Sequence, residues 1–268
     1  LLVYYPFDAG QLKNFKESLP TKGSVGGFAA TLSKEAPGTT EDRFGEPNEA
    51  YLFNGTNSIT SGRGGNRSYI LANATEPRAL SVWFKPEEIG TNRLSVASLG
   101  SSAANAGWEL LVDADEGLIG NWSGGTNYLS GGEVNAGQWH HAVFSYDDTM
   151  KLSTLYLDGE LLGSFTNQVA TTGSYGIKIG GQPLAASVKR PNRKKGSEPA
   201  EKIVYSNFHG AIDDVRVYLK NMDEADVREL YDGEKPPASW FWLYTLLFGL
   251  TAAGGLYWKR YWATGEKA

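Results

Sequence analysis

Three carboxylates spaced Glu224-x-Asp226-x-x-Glu229 have the composition of a hydrolytic site, in which paired carboxylates flank a glycosidic bond as acid and base. Their surroundings, however, predict a helix. Asp223 is placed to cap it with Asp226 at N3, Met222 and Val227 form a hydrophobic staple, Leu230 and Tyr231 continue the buried stripe, and Gly233 suits the C′ position. On a helix, positions i, i+2 and i+5 point in different directions, so these groups cannot converge on one bond. They read as charges on a solvated face.

Asp213 is a different case. It lies in a predicted strand over residues 210–218, where regular alternation puts it on the side of Val215 and Val217, both expected in the core. A buried carboxylate requires a partner. His140, His141 and His209 are the only histidines, and a zinc or copper site needs several converging ligands. Neighbours on a strand face opposite ways, so His140 and His141 do not share a site; Trp139 beside them reads as core. The chain has no cysteine, which excludes a disulfide framework, a thiolate metal site and a cysteine nucleophile. A formal charge of −5 gives no whole-chain reason to expect a nucleic-acid partner.

Residues that bind rather than react are more numerous. Trp108, Trp122 and Tyr128, in a Gly-rich stretch over residues 105–132, are candidate glycan contacts if their rings are exposed on loops, and core residues if they are not. Lys189, Arg190, Arg193, Lys194, Lys195 and Lys202 fall in a polar insertion carrying Pro191 and Pro199. This is an exposed basic loop, solvated or facing anionic headgroups or an acidic partner. Asn-x-Ser/Thr occurs at Asn54, Asn66, Asn73 and Asn121, each a glycosylation acceptor only in a host with that machinery.

The elements that must hold these residues are short strands between turns, as 33 glycines and 12% aromatics suit. Residues 79–85 alternate with Leu80, Val82 and Phe84 on one side. Further strands are expected over 139–146, 153–157 and 175–179, and Asp158-Gly159 makes a type I′ turn into a strand over 160–165. The expected divisions are a β domain over residues 1–233, a Pro-rich linker over 234–237, a spanning helix over 238–258 and a tail over 259–268.

Residues 238–258 carry no charge, and a run of about twenty such residues crosses a hydrocarbon core at 1.5 Å per residue. Trp240, Trp242 and Tyr244 at one end and Tyr257, Trp258, Tyr261 and Trp262 at the other form interfacial belts. Lys259 and Arg260 then place the tail in the cytoplasm and the β domain outside, periplasmic or extracellular. Gly249 with Ala253, and Thr251 with Gly255, are small pairs four apart that admit a neighbouring helix. The opening Leu1-Leu2-Val3-Tyr4-Tyr5 reaches Asp8 too soon for a signal-peptide core, so either a leader has been removed or the chain belongs to a longer one.

Several stretches together resemble the laminin-G-like, concanavalin A-like lectin-glucanase family. They are Val3 to Asp8, DRFGEPNEAYLFNG from Asp42, Leu80 to Phe84, GQWHHAVFSYD from Gly137, LYLDGELLGS from Leu155, IKIGG, and GAIDDVRVYLKNMDEADVRELYDG from Gly210. They occur in the family's order over most of residues 3–233. The resemblance implies an all-β, two-sheet antiparallel jelly-roll sandwich, followed here by a short helix and the spanning helix. It also implies a structural calcium held by Asp213 and an acidic loop after the first strand. That loop here has two lysines and no Asp beyond Asp8, so calcium at Asp8 and Asp213, or backbone hydrogen bonds to Asp213, remain the two readings. Glucanases of this fold carry Glu-x-Asp-x-x-Glu on a strand, not a helix. The expected role is therefore a non-catalytic, membrane-anchored extracytoplasmic interaction module. In the first reading it is an accessory or structural subunit meeting other membrane-complex subunits through the sandwich and the helix, with lipid around it. The alternative is a cell-surface lectin or adhesin binding glycan, and the remaining one is a glycoside hydrolase.

Overall fold

A computed structural model describes residues 1, 3–7, 30–32, 36–61, 76–100, 107–122, 128–166, 177–181 and 205–236. Sixteen strands and one helix are found among them. The strands are β1 (Val3–Tyr5), β2 (Ala30–Leu32), β3 (Gly38–Thr40), β4 (Ala50–Asn54), β5 (Ile59–Ser61), β6 (Arg78–Pro86), β7 (Arg93–Gly100), β8 (Gly107–Asp113), β9 (Gly117–Asn121) and β10 (Tyr128–Gly131). Then follow β11 (His140–Asp147), β12 (Leu152–Leu157), β13 (Glu160–Thr166), β14 (Ile177–Ile179), β15 (Tyr205–Asn207), β16 (His209–Tyr218) and the helix α1 (Glu224–Glu234).

The strands form two sheets. One runs β13-β12-β11-β6-β16-β4-β3, with β1 also on β16; the other runs β10-β9-β8-β7-β14-β5-β2, with β15 also on β7. The pairing is antiparallel except between β15 and β7. Alternation explains the layering, since Leu80, Val82 and Phe84 of β6 point inward to meet Trp108, Leu110 and Val112 of β8 in one core. Trp108 stacks on Phe144 of β11 at 3.9 Å between centroids and meets Trp122 edge-on at 6.1 Å. The two sheets are thus joined by aromatic rings at their centre.

The turn between β12 and β13 has φ of 51° at Asp158 and 83° at Gly159, as a type I′ turn requires. A side chain at Gly159 would also meet the Tyr231 ring at 2.9 Å. Helix α1 lies on the outer face of the first sheet, where Met222 and Val227 pack with Ala79, Val143 and Tyr156. Its start follows the expected capping, with Asp226 N donating to Asp223 Oδ1 at 2.9 Å. Its end does not stop at a Gly233 cap. The helix runs on to Glu234, whose backbone and side chain are both held by the domain.

The strand parity of Asp213 is corrected by a bulge. Asp213 opposes Trp83 and Arg216 opposes Ser81, so two residues of β16 face one of β6, and Asp214 takes φ of 49°. The extra residue reverses the alternation, which leaves Ile212, Val215 and Val217 in the core while Asp213 joins Trp83 and Arg216 outside it. Residues 1–234 form one compact unit and 235–268 a second, of which residues 235 and 236 are described. Among the described residues no helix is long and apolar enough to cross a membrane. The segment 238–258 lies outside them.

Candidate functional site

The helix carboxylates are kept apart. Asp226 serves the cap and an ion pair with Lys220 at 2.7 Å, while Glu224 meets Arg228 at 3.6 Å. The histidines do not converge either. His140 Nδ1 contacts Asp158 at 2.8 Å, and its Nε2 accepts from Asn135 N at 3.1 Å. His141 is fully buried, its Nε2 at 2.8 Å from Ser81 Oγ and its ring against those of Trp83 and Tyr231 at 5.0 and 6.1 Å. Burial, with Arg216 and Arg43 nearby, pushes this imidazole down to about 3, so it is neutral. Among the described residues no group of three His, Asp or Glu side chains is arranged to hold a metal ion.

The aromatic candidates separate. Trp108 and Trp122 are 0% and 1% exposed inside the sandwich, which corrects their reading as glycan contacts: inward alternation on β8 and at the end of β9 makes them core. Tyr128 is 36% exposed at the rim, stacked on Arg93 at 4.4 Å and donating to Glu116 at 3.0 Å. Asn121 is buried and donates to Glu109 at 2.7 Å, so in the folded domain it is no glycosylation acceptor. Asp8, Asn66, Asn73, the six basic loop residues and Gly249, Thr251, Ala253 and Gly255 lie outside the described residues.

Asp213 sits in a buried ionic cluster. Its Oδ2 accepts from Arg43 Nη1 at 2.9 Å and its Oδ1 from Asp214 N at 2.8 Å. Asp214 Oδ2 meets Arg43 Nη2 at 2.7 Å, and its Oδ1 accepts from Arg216 at 3.1 Å and from the Tyr4 hydroxyl. Glu234 completes the group through Arg216 at 2.7 Å and the Trp83 indole at 3.0 Å. Burial, and then the adjacent Asp214 charge, raise the Asp213 carboxyl far above the ordinary carboxylate range against the pull of Arg43. Two guanidinium groups face three carboxyls, which leaves one acidic group in excess in the cluster. A calcium ion requires six to eight oxygens at about 2.3–2.6 Å. All four oxygens of the aspartate pair already accept from protein donors, and a guanidinium stands between them. The residues as arranged do not fit calcium.

An open cleft of ≈ 430 Å³ lies at the end of the sandwich where β4 and β6 finish and β16 begins. Its polar lining comes from separate segments: Asn54 at the end of β4 and Thr56 just after it, Glu88 and Asn92 between β6 and β7, and Ser206, Asn207 and His209. Ile89 and Leu94 supply apolar surface. The walls are fixed by backbone bonds, Gly55 N to Phe208 O at 3.0 Å and Glu87 N to His209 O at 3.1 Å. Asn54 Oδ1 closes its own turn by accepting from Thr56 N at 3.0 Å. Gly210 permits the close crossing, since a Cβ there would lie 2.2 Å from Lys85 O. His209 is braced between Glu87 at 2.7 Å and Glu88 at 3.3 Å. Amides, hydroxyls and one imidazole around an apolar floor match a polyhydroxylated ligand, which presents hydroxyls at its edge and C–H groups on its face. The sequence did not disclose this cleft, because its residues are single polar positions far apart in the chain with no local signature.

A family profile, Laminin_G_3, described as Concanavalin A-like lectin/glucanases superfamily, matches residues 54–228. Curated protein sequences give no significant match. Among solved structures, domain 4 of AbnA, a GH43 extracellular arabinanase from Geobacillus stearothermophilus solved with arabinotriose, is 20% identical. It has a TM-score of 0.55 and covers 86% of this chain and 97% of that one. The binding domain of botulinum neurotoxin DC, in complex with SialylT, is 11% identical with a TM-score of 0.51, over 78% of this chain and 48% of that one. A sialidase of Trypanosoma rangeli is 15% identical with a TM-score of 0.50, over 71% and 28%. At these identities the likeness is one of fold. With the profile spanning more than half of its length, the chain belongs to the Laminin_G_3 family of the concanavalin A-like lectin/glucanases superfamily.

Proposed function

We propose that this chain is a non-catalytic carbohydrate-binding module whose ligand occupies the end cleft, and that the apolar segment 238–258 holds it at the outer side of a membrane. The cleft carries the reading: it is open, about the size of a small-ligand site, and lined by hydrogen-bonding groups over apolar surface. The arabinanase domain crystallised with arabinotriose supports it as a fold used beside sugar. No nucleophile with its base and no free carboxylate pair faces the cleft among the described residues; Glu87 and Glu88 are both engaged with His209.

A glycan array with the detergent-solubilised chain tests the proposal, followed by calorimetry on each hit. Asn92→Ala and Asn207→Ala each remove one hydrogen bond of about 0.5–1.5 kcal/mol, a loss of roughly 2- to 12-fold in affinity. A blank array across neutral and acidic glycans refutes it, as does binding indifferent to both substitutions. Resistance of the chain to alkaline extraction from membranes checks the anchor. A second reading, an accessory subunit of a membrane complex, draws on the small pairs Gly249/Ala253 and Thr251/Gly255. Copurification of stoichiometric partners in mild detergent favours it, and recovery as a lone monomer removes it.

A further inference from the structure

We propose that the Arg43 guanidinium is the resident cation of the Asp213–Asp214 pair, so that the fold of this domain needs no divalent metal there. The inference is independent of the carbohydrate reading. Two carboxylates side by side on one bulge, both buried, require positive charge within contact distance. Arg43 supplies it with a planar fork: Nη1 to Asp213 at 2.9 Å, Nη2 to Asp214 at 2.7 Å, and Nε to the Glu234 carbonyl at 2.7 Å. Its side chain is 5% exposed.

The surroundings select a guanidinium over a metal ion. The Trp83 ring lies at 4.7 Å and the Phe44 ring at 4.6 Å from the guanidinium carbon. Aromatic faces attract a weakly hydrated, delocalised cation and offer nothing to a hard ion that demands oxygen. The neighbouring bonds hold the fork in place from both sides. Asp42 Oδ1 accepts from Phe44 N at 2.8 Å and Glu46 N at 2.9 Å, which shapes the loop carrying Arg43. Arg216 and Tyr4 take the remaining oxygen of Asp214.

Thermal unfolding of the purified full chain in excess EDTA, and in millimolar calcium chloride after its removal, decides the matter. The expected result is one Tm in both, because a ligand bound only to the native state must raise it. A Tm that falls with EDTA or climbs by several degrees with calcium overturns the proposal. Arg43→Met keeps the aliphatic reach without the charge and lowers Tm strongly; Arg43→Lys restores part of the loss, since a point charge replaces a fork. A calcium-dependent rise in Arg43→Met alone shows metal and guanidinium competing for one place, in support. Wild-type stability in Arg43→Met refutes the assignment, and if that variant does not fold, the EDTA comparison on the native chain still decides.

Discussion

Lowering the pH below 6 unfolds this domain partly through His141, by an amount that follows from its surroundings. The imidazole packs against both Trp83 and Tyr231, with Nε2 on Ser81 and Nδ1 without a partner among the described residues. A proton added to it would be buried, left without an acceptor, and set near the Arg216 and Arg43 charges. The folded state therefore releases its proton down to about 3, against an ordinary value of 6.5. The unfolded chain binds more protons across that window, so stability is fully present above about 6.5 and is lost as pH falls toward 3. At about pH 4.5 the ordinary imidazole value is roughly two units above the ambient pH, a loss of about 2–3 kcal/mol. Asp213 acts in the opposite sense, because its raised carboxyl favours the folded state as pH falls. The two are separated by comparing wild type with His141→Gln in urea melts at about pH 4.5 and 7.5. The wild type should lose about 2–3 kcal/mol more than the variant between those conditions. Parallel pH dependences in the two proteins would refute the account of a buried neutral imidazole.

Two further substitutions probe the frame around the cleft. Gly210→Ala brings a Cβ to 2.2 Å from Lys85 O at a φ of 141°, and should cost about 1–3 kcal/mol in a urea melt while weakening any cleft ligand. Trp108→Ala empties the centre of the core and should cost about 3–5 kcal/mol; normal stability with loss of sugar binding would instead restore Trp108 as a contact.

What the sequence disclosed was the part governed by local rules. Alternation in residues 79–85, the Asp158-Gly159 turn and the Asp223 cap each act over a few residues, and each appears within a residue or so of its expected place. Asp213 was misplaced because a bulge leaves no mark in apolar alternation: Ile212 and Val215 are both inward, three apart, on a strand of nominal period two. The tryptophans allowed two readings because an indole suits a core and a sugar platform equally, and only the inward face of β8 decides. The role of Arg43 has no local signature, since its partner lies 170 positions away. The cleft is of the same kind, a meeting of β4, β15 and two loops that have nothing in common except an end of the sandwich.

The position of β16 has a consequence for the order in which the domain comes into being. It is the last of the described strands in chain order, yet it lies between β6 and β4 and also carries β1, the first of them. Until residues 209–218 have emerged, β6 is paired on one side only, with β11, β4 is parted from the rest of its sheet, and Tyr4 has no carboxylate to meet. Closure of the first sheet on the ribosome thus waits for β16, with core strands exposed in the meantime. A premature stop before residue 209 would yield not a shortened sandwich but an open, aggregation-prone one. A chaperone that shields apolar strands would gain most before residues 209–218 emerge.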